Sequence, residues 1–347
     1  MSSILKHVLY AFVAATFAVS ATVSGADRAP ISEEMYVKIG GIYQWVTITG
    51  TERRNPVILF LHGGPGSSGS PFADVYFDDW EKDFTLVQWD QRGAGRTHGK
   101  NGKSIEPTMT VERMTEDGIE VAEYLREHLH KQQIVLVGGS WGSILGIRMA
   151  HARPDLFYAY VGYAQATNWQ RDLAASYSWL LKIAQAKDDR PALDALNALG
   201  APPWHSIDKW LSYAKVMNGY QPELATAPMP PFGAVASEYA ADFKNGGAWL
   251  EANDFSFRHF WGPTLSGPLT RVDLTSLTDF KIPIFFVKGE FDLTCPPDLT
   301  RAYFETLRAP RKKFYVVPGT GHNLSWAELK LMRDVLLTEV GPIADAK

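Results

Sequence analysis

The stretch "VLVGGSWGSILG" (Val135–Gly146) sets one serine among glycines at the point where an apolar run changes period. Ile134 to Val137 are continuously apolar, as in a strand buried on both faces, and the residues from about Trp141 to Ala152 read as a helix. Ser140 therefore falls where a buried strand turns into a helix. Such a turn forces the serine backbone into a strained conformation. Glycines at 138 and 142 let strand and helix approach, which lifts the hydroxyl clear of the sheet edge. GxSxG in this context is the pattern of a nucleophile elbow; the plainer alternative is a serine that caps a helix.

Working outward, "PVILFL" (Pro56 to Leu61) and "FTLVQW" (Phe84 to Trp89) are short, continuously apolar and ended by polar or glycine-rich turns. They read as further strands of a buried parallel sheet. Before them, "EEMYVKI" and "GIYQWVTITG" alternate around Gly40-Gly41, as expected for an antiparallel hairpin at the sheet edge. Thr110 caps a helix with apolar positions Val111, Met114, Ile119, Ala122, Leu125 and Leu129. "LFYAYVGYA" (Leu156 to Ala164), "PIFFVKG" (Pro283 to Gly289) and "KKFYVVPG" (Lys312 to Gly319) supply later strands, and an amphipathic helix from about Trp326 to Val340 ends the chain. This βαβ alternation predicts an α/β fold with a mostly parallel sheet flanked by helices.

The pattern changes over residues 165–279, where no buried strand is evident and helices dominate. One helix carries Trp169, Leu173, Tyr177, Leu180, Leu181 and Ala184 on a single face; Pro191 opens a second, closed by Gly200; Ser206 caps a third that ends at Asn218-Gly219. The proline-rich "QPELATAPMPPFG" (Gln221 to Gly233) is expected to loop over a pocket. Residues 165–279 are therefore an inserted helical lid, and residues 27–164 with 280–347 form the core. The first 26 residues, with Lys6 and His7, the apolar run Val8 to Val23 and then small residues, read as a signal peptide cleaved after Ala26, or after Ala21. That predominantly apolar stretch of 16 residues falls short of the roughly 20 that span a bilayer as a helix. The mature protein is expected to be periplasmic or secreted, without stable membrane insertion.

The 347 residues carry a formal charge of −4, of the wrong sign for tracking phosphates, so nucleic acid is not an expected partner. The single cysteine, Cys295, excludes an intramolecular disulfide, and between Thr294 and Pro296 it shows neither a helix start nor a base that would make it a nucleophile.

A serine hydroxyl needs a base within reach and a third group to orient that base. Asp292, in "VKGEFDLTCPP", and His322, in "YVVPGTGHNLSW", each follow a strand end at the sheet edge that carries Ser140, in the order Ser, Asp, His. Glu290 is the alternative acid, and Asp298 is expected to cap the next helix. His62 is the rival histidine; it heads the glycine-rich "HGGPGSSG" loop, which suits an oxyanion hole built from backbone N–H groups of Gly64 (or Gly63) and Trp141. His62 would then orient the loop.

With "HGGPG" (His62 to Gly66), "WDQRGAGRT" (Trp89 to Thr97), "GGSWGS" (Gly138 to Ser143), the Asp292 loop and "GTGH" ending at His322, the chain resembles the α/β-hydrolase fold family, in its proline iminopeptidase-like branch, from Glu34 to near Val340. The resemblance implies a Ser140, Asp292, His322 triad, a helical lid, no metal or organic cofactor, and hydrolysis of an amide or ester at the end of a small peptide or ester substrate. It also implies that Asp90, Gln91 and Arg92 structure the loop beside the oxyanion strand. Proline iminopeptidases share a lid motif, Trp, two residues, then Trp-Glu, whose carboxylate helps hold the substrate amine. Here "DKWLSYAKVMNGY" has Trp210 without the second Trp and Glu. Lid carboxylates open to that role are Glu223, Glu238, Asp242, Glu251 and Asp254. Six tryptophans (Trp169, Trp179, Trp204, Trp210, Trp249, Trp261) lie in the lid and suggest an apolar roof, which suits a hydrophobic ester or lactone as well as a peptide. A binding protein that kept the fold without the chemistry is the remaining alternative. Dehalogenase or epoxide-hydrolase chemistry calls for a carboxylate where Ser140 stands.

Overall fold

Gly40 and Gly41 adopt φ of 54° and 79°, the left-handed values a two-residue hairpin turn requires, and so pair β1 (Ile31–Ile39) antiparallel with β2 (Ile42–Gly50). The computed structural model describes residues 28–229 and 235–345, which leaves the proposed signal peptide outside the described residues. Six further strands follow: β3 (Val57–Leu61), β4 (Thr85–Asp90), β5 (Ile134–Gly139), β6 (Phe157–Tyr163), β7 (Ile284–Gly289) and β8 (Lys312–Val317). They form one sheet of order β1-β2-β4-β3-β5-β6-β7-β8, antiparallel up to the β2–β4 pair and parallel from there on.

The apolar runs make this order physical. β3, β4, β5 and β7 are buried along their whole length because both faces of the sheet are covered. Alternate residues of β5 enter opposite cores. Ile134 and Leu136 join Val121 and Leu125 of α1 (Val111–His128) and Ile144 and Leu145 of α2 (Trp141–Ala152). Val135 and Val137 face the other core, with Phe77 and Trp80. Thr110 caps α1 as expected, its hydroxyl accepting from the Arg113 N–H at 3.0 Å.

The hairpin is not wholly an edge. Only β1 alternates in and out of solvent; β2 is buried from Gln44 to Ile48, because it pairs with β4 as well as β1 and because its side chains are covered. Gln44 accepts from Trp89 Nε1 at 2.8 Å, and Trp45 Nε1 donates to the Tyr239 hydroxyl at 3.1 Å. The other edge is β8, half exposed.

Between β6 and β7 lie α3 (Trp169–Ala186), α4 (Arg190–Leu199), α5 (Ile207–Leu224) and α6 (Ala248–Trp261). Asp189 caps α4 with Pro191 in its first turn, and Gly200 closes it at φ 68°. α5 does not end at Asn218-Gly219 but runs one turn and more beyond them. Tyr213, Met217 and Tyr220 are buried on one face, and the Tyr220 hydroxyl donates to Asp189 at 2.7 Å, so packing outweighs the local glycine penalty of about 1 kcal/mol. Part of the predicted proline-rich loop is therefore helix, and residues 230–234 lie outside the described residues. After β7 comes α7 (Pro297–Thr306), and after β8 comes α8 (Trp326–Val335). Ser325 and Glu328 form a reciprocal capping box on α8, and a π turn (Leu336–Val340) follows it. Among the described residues no helix is long and apolar enough to cross a membrane.

The loop after β4 is anchored by a buried ion pair. Arg92 and Asp117, exposed by 1% and 0%, meet in a two-point contact of 2.8 and 3.1 Å, while Arg92 also donates to Thr108 and to the Gly40 carbonyl. Removing the carboxylate strands a desolvated guanidinium. Asp117→Ala should lower stability by about 3–5 kcal/mol in urea unfolding, whereas a loss below about 1 kcal/mol would contradict this account of the loop.

Candidate active site

Ser140 occupies the junction of β5 and α2 at φ 51° and ψ −117°, a conformation that L-residues with a Cβ adopt rarely. The flanking glycines are needed because backbone lies where their side chains would be. A Cβ on Gly142 would stand 1.9 Å from the Leu61 carbonyl oxygen, and one on Gly138 would stand 2.6 Å from the Gly142 carbonyl oxygen. α2 thus starts against the end of β3, and the Ser140 side chain projects into a cavity.

The structure brings the three expected side chains together. His322 Nε2 lies 2.9 Å from Ser140 Oγ, and His322 Nδ1 lies 2.9 Å from Asp292 Oδ1. With Asp292 ionised, Nδ1 carries the proton and donates it to the carboxylate, which leaves the Nε2 lone pair to accept from the serine hydroxyl. Asp292 is fully buried, and burial alone would raise its carboxyl. Electrostatic attraction to His322 and Lys288, together with hydrogen bonds from His322 and the Cys295 N–H, outweighs burial and holds the carboxyl well below the usual range. It accepts from Lys288 Nζ at 2.6 Å and from the Thr294 and Cys295 N–H groups at 2.9 and 2.8 Å. Glu290, the alternative acid, is exposed and accepts from the Gly319 N–H at 3.0 Å.

Gly64 and Trp141 line the cavity beside Ser140 and His322, and Gly63 faces the Ser140 Cβ from the other side. His62 holds this loop in place, as expected. Its Nδ1 lies 2.8 Å from the Gly63 carbonyl, and its Nε2 accepts from the Gln91 N–H at 3.2 Å. Burial pushes the imidazole down to about 4, so it is neutral and has one donor and one acceptor for those two partners. Gln91 completes a clamp. It donates to the His62 carbonyl at 3.1 Å and accepts from Trp141 Nε1 at 2.8 Å, tying the glycine loop to the first residue of α2. Asp90 accepts from Ser70 and the Arg96 N–H, with its carboxyl raised to about 6 by burial. The Asp-Gln-Arg triplet is structural here.

A cavity of about 300 Å³ opens over Ser140. Trp141, Trp169, Trp210, Phe257 and Trp261 supply much of its wall. Half of the lid tryptophans thus contribute to the roof. Trp204 packs on Tyr177 and Tyr213, Trp249 on Phe72 and Phe243, and Trp179 stacks on Phe291.

Among the described side chains, none of the lid acids picked from the sequence lines the cavity. Glu238 and Glu251 are exposed, Asp242 pairs with Arg96 at 3.4 Å, Asp254 pairs with Arg258 at 2.7 Å, and the Glu223 side chain lies outside the described residues. The carboxylate in the wall is Asp172, in the first turn of α3, which the sequence offered only as a polar residue on an amphipathic helix. It is 4% exposed and accepts from the Thr167 N–H at 3.2 Å and the Thr167 hydroxyl at 3.0 Å. Burial raises its carboxyl to about 6.

Two expectations around Cys295 are corrected. α7 does begin just after it, with Pro296 as cap and Asp298 inside the first turn rather than at the cap. A base is also near, since donor atoms of Cys295, Asp292 and His322 lie within 4.8 Å of one another. Burial, followed by the charge of Asp292, pushes the thiol well above its usual range, so it is no thiolate. Those three residues are the described cluster of metal-ligating type, but the imidazole and the carboxylate are already engaged with Ser140, Lys288 and each other.

A serine elbow at the end of β5, with a carboxylate and a histidine from the loops after β7 and β8, is α/β-hydrolase architecture. The chain matches the α/β hydrolase fold over residues 56–329 and belongs to that family of hydrolases. It is 31% identical over 309 residues to a probable aminopeptidase, YbaC, of Bacillus subtilis (strain 168), a match that covers 86% of this chain and 93% of that protein. It is 26% identical over 294 residues to a probable proline iminopeptidase of Leptolyngbya boryana, covering 80% and 84% of the two chains. The crystal structure of a proline iminopeptidase from Mycobacterium smegmatis superposes with a TM-score of 0.68 at 20% identity, covering 90% of this chain and 99% of that one, a likeness of fold. The chain is thus an enzyme of the proline iminopeptidase-like branch, as its motifs implied.

The elbow makes a steric prediction. Gly142→Ala drives a methyl group into backbone that cannot yield, and should cost about 3 kcal/mol or more in urea unfolding. Gly99→Ala, where a Cβ meets nothing within 4 Å, should change stability by about 0.5 kcal/mol or less. Equal effects at the two sites would refute the close approach.

Proposed function

We propose that the protein is an exported serine aminopeptidase that removes N-terminal residues from short peptides through an acyl-enzyme. The observation that carries this is the unbroken hydrogen-bonded line from Asp292 through His322 to Ser140, opening into a cavity with one carboxylate, Asp172, in its wall among the described residues. Ser140 attacks the scissile carbonyl as His322 takes its proton at Nε2. Asp292 keeps the other proton on Nδ1 and stabilises the imidazolium, and backbone N–H groups of Gly64 and Trp141 receive the oxyanion. His322 then passes its proton to the leaving amine, and water repeats the sequence on the ester. The similarity to a probable aminopeptidase and to proline iminopeptidases supports a peptide substrate. Export is supported by the character of residues 1–26.

Asp172 supplies what an aminopeptidase needs and an esterase does not. Lys288 is hydrogen-bonded to Asp292, so the ionised Asp172, held by two neutral donors from Thr167, is a carboxylate of the cavity wall with no cationic hydrogen-bond partner among the described residues. A substrate ammonium group satisfies it. The aromatic wall suits an apolar N-terminal side chain or a proline ring. The same wall favours hydrophobic esters or lactones as the second reading.

Two measurements separate these. Asp172→Asn should lower kcat/KM for alanine and proline β-naphthylamides by about 100-fold and leave p-nitrophenyl butyrate within about threefold, since only the amine substrates lose a charged partner. Equal losses would remove Asp172 from amine binding, and wild-type preference for the ester by orders of magnitude would remove the peptidase assignment. The Asp172 carboxyl is raised to about 6, so it is ionised above that pH and protonated below it. In the wild type, kcat/KM for amine substrates relative to the ester should therefore fall as the pH drops through about 6; a pH-independent ratio would contradict this.

A further inference from the structure

β7 carries a lysine where its pattern calls for an apolar residue. Ile284, Phe286 and Lys288 share one face of that strand, the first two lie in the core, and the Lys288 side chain is 0% exposed. Its ammonium lies 2.6 Å from Asp292 Oδ2, on the carboxylate oxygen opposite the one that meets His322. A buried ion pair of this kind is weak support for stability, because desolvation cancels much of the attraction and an apolar pair of similar volume often does as well. Orientation of the acid does not require it either, since His322 and the Thr294 and Cys295 N–H groups already fix Asp292 Oδ1. What the lysine adds is a full positive charge behind the carboxylate.

We propose that Lys288 is a positioning residue that sets the acidic limit of activity, its fixed charge opposing a second positive charge on the His322 imidazole. This rests on the assignment of Ser140, His322 and Asp292 as the reacting line. With Asp292 alone behind it, the imidazole would be drawn toward the protonated form, which cannot accept the serine proton. With Lys288 in place, the ammonium and carboxylate together are neutral, and the base stays available at lower pH. The other titratable groups around this pair are Asp172 on α3, Cys295 before α7 and Glu328 on α8, each of which senses the charge of Asp292. Of these, Asp172 and Glu328 are the ones whose ionisation opposes the effect of Lys288, each carboxyl being raised to about 6 chiefly by burial.

The test is the pH dependence of kcat/KM for p-nitrophenyl butyrate, a substrate without an amine, in the full-length wild type, Lys288→Met and Lys288→Gln. Glutamine can still donate to Asp292 Oδ2 without the charge. Both variants should move the acidic limb upward by about one pH unit, with the plateau within about tenfold of wild type. Superimposable limbs in a folded variant would overturn the proposal, as would a shift in Lys288→Met that Lys288→Gln abolishes, since that would assign the effect to the hydrogen bond. Failure of both variants to fold would make the lysine a structural partner and overturn it too. Ser140→Ala separates the two claims: undiminished turnover there removes the reacting line itself, whereas loss of turnover with unmoved limbs removes only the role of Lys288.

Discussion

A serine backbone at φ 51° is held in place because α2 starts against the end of β3, with no room for a Cβ on Gly138 or Gly142. That close approach is the constraint on which the site depends. It aims one hydroxyl away from the sheet, and the order β5-β6-β7-β8 then carries Asp292 and His322 to the same edge from loops more than 150 residues further along the chain. Strain of this kind persists only when its surroundings over-determine it. Here the Ser140 N–H donates to the Tyr163 carbonyl at 3.2 Å, and the Ser143 hydroxyl donates to the Ser140 carbonyl at 2.6 Å.

Around this point the polar residues are shared out between holding and reacting. Gln91 and His62 spend their hydrogen-bonding capacity on the glycine loop and α2. Ser176, from α3, donates to the Leu293 carbonyl and meets the Tyr213 hydroxyl of α5, so α3 and α5 are hydrogen-bonded to the loop that carries Asp292. Asp172 has no cationic hydrogen-bond partner among the described residues.

The core of this fold was legible because its signals are local. "PVILFL", "FTLVQW" and "QIVLVG" are apolar on both faces and became strands buried on both faces. GxSxG between a strand and a helix located Ser140, and strand-end loops located Asp292 and His322. What escaped depended on packing at long range. Local alternation cannot tell that β2 has a second neighbour, and Asn218-Gly219 signals a helix end that the burial of Tyr220 overrides. Asp172 looked like any polar residue on an amphipathic helix, since nothing in its neighbours reports that its face turns toward Ser140. Lys288 did leave a signal, a charge inside a strand buried along its whole length and four residues before the acid.

The central claim is that Ser140 is the nucleophile, and the most direct measurement is peptide mapping by mass spectrometry after reaction with a fluorophosphonate. A single adduct on the peptide containing Ser140, lost in His322→Ala, is the predicted result. An adduct on Cys295 or another residue, or an unmodified wild-type protein, would contradict it.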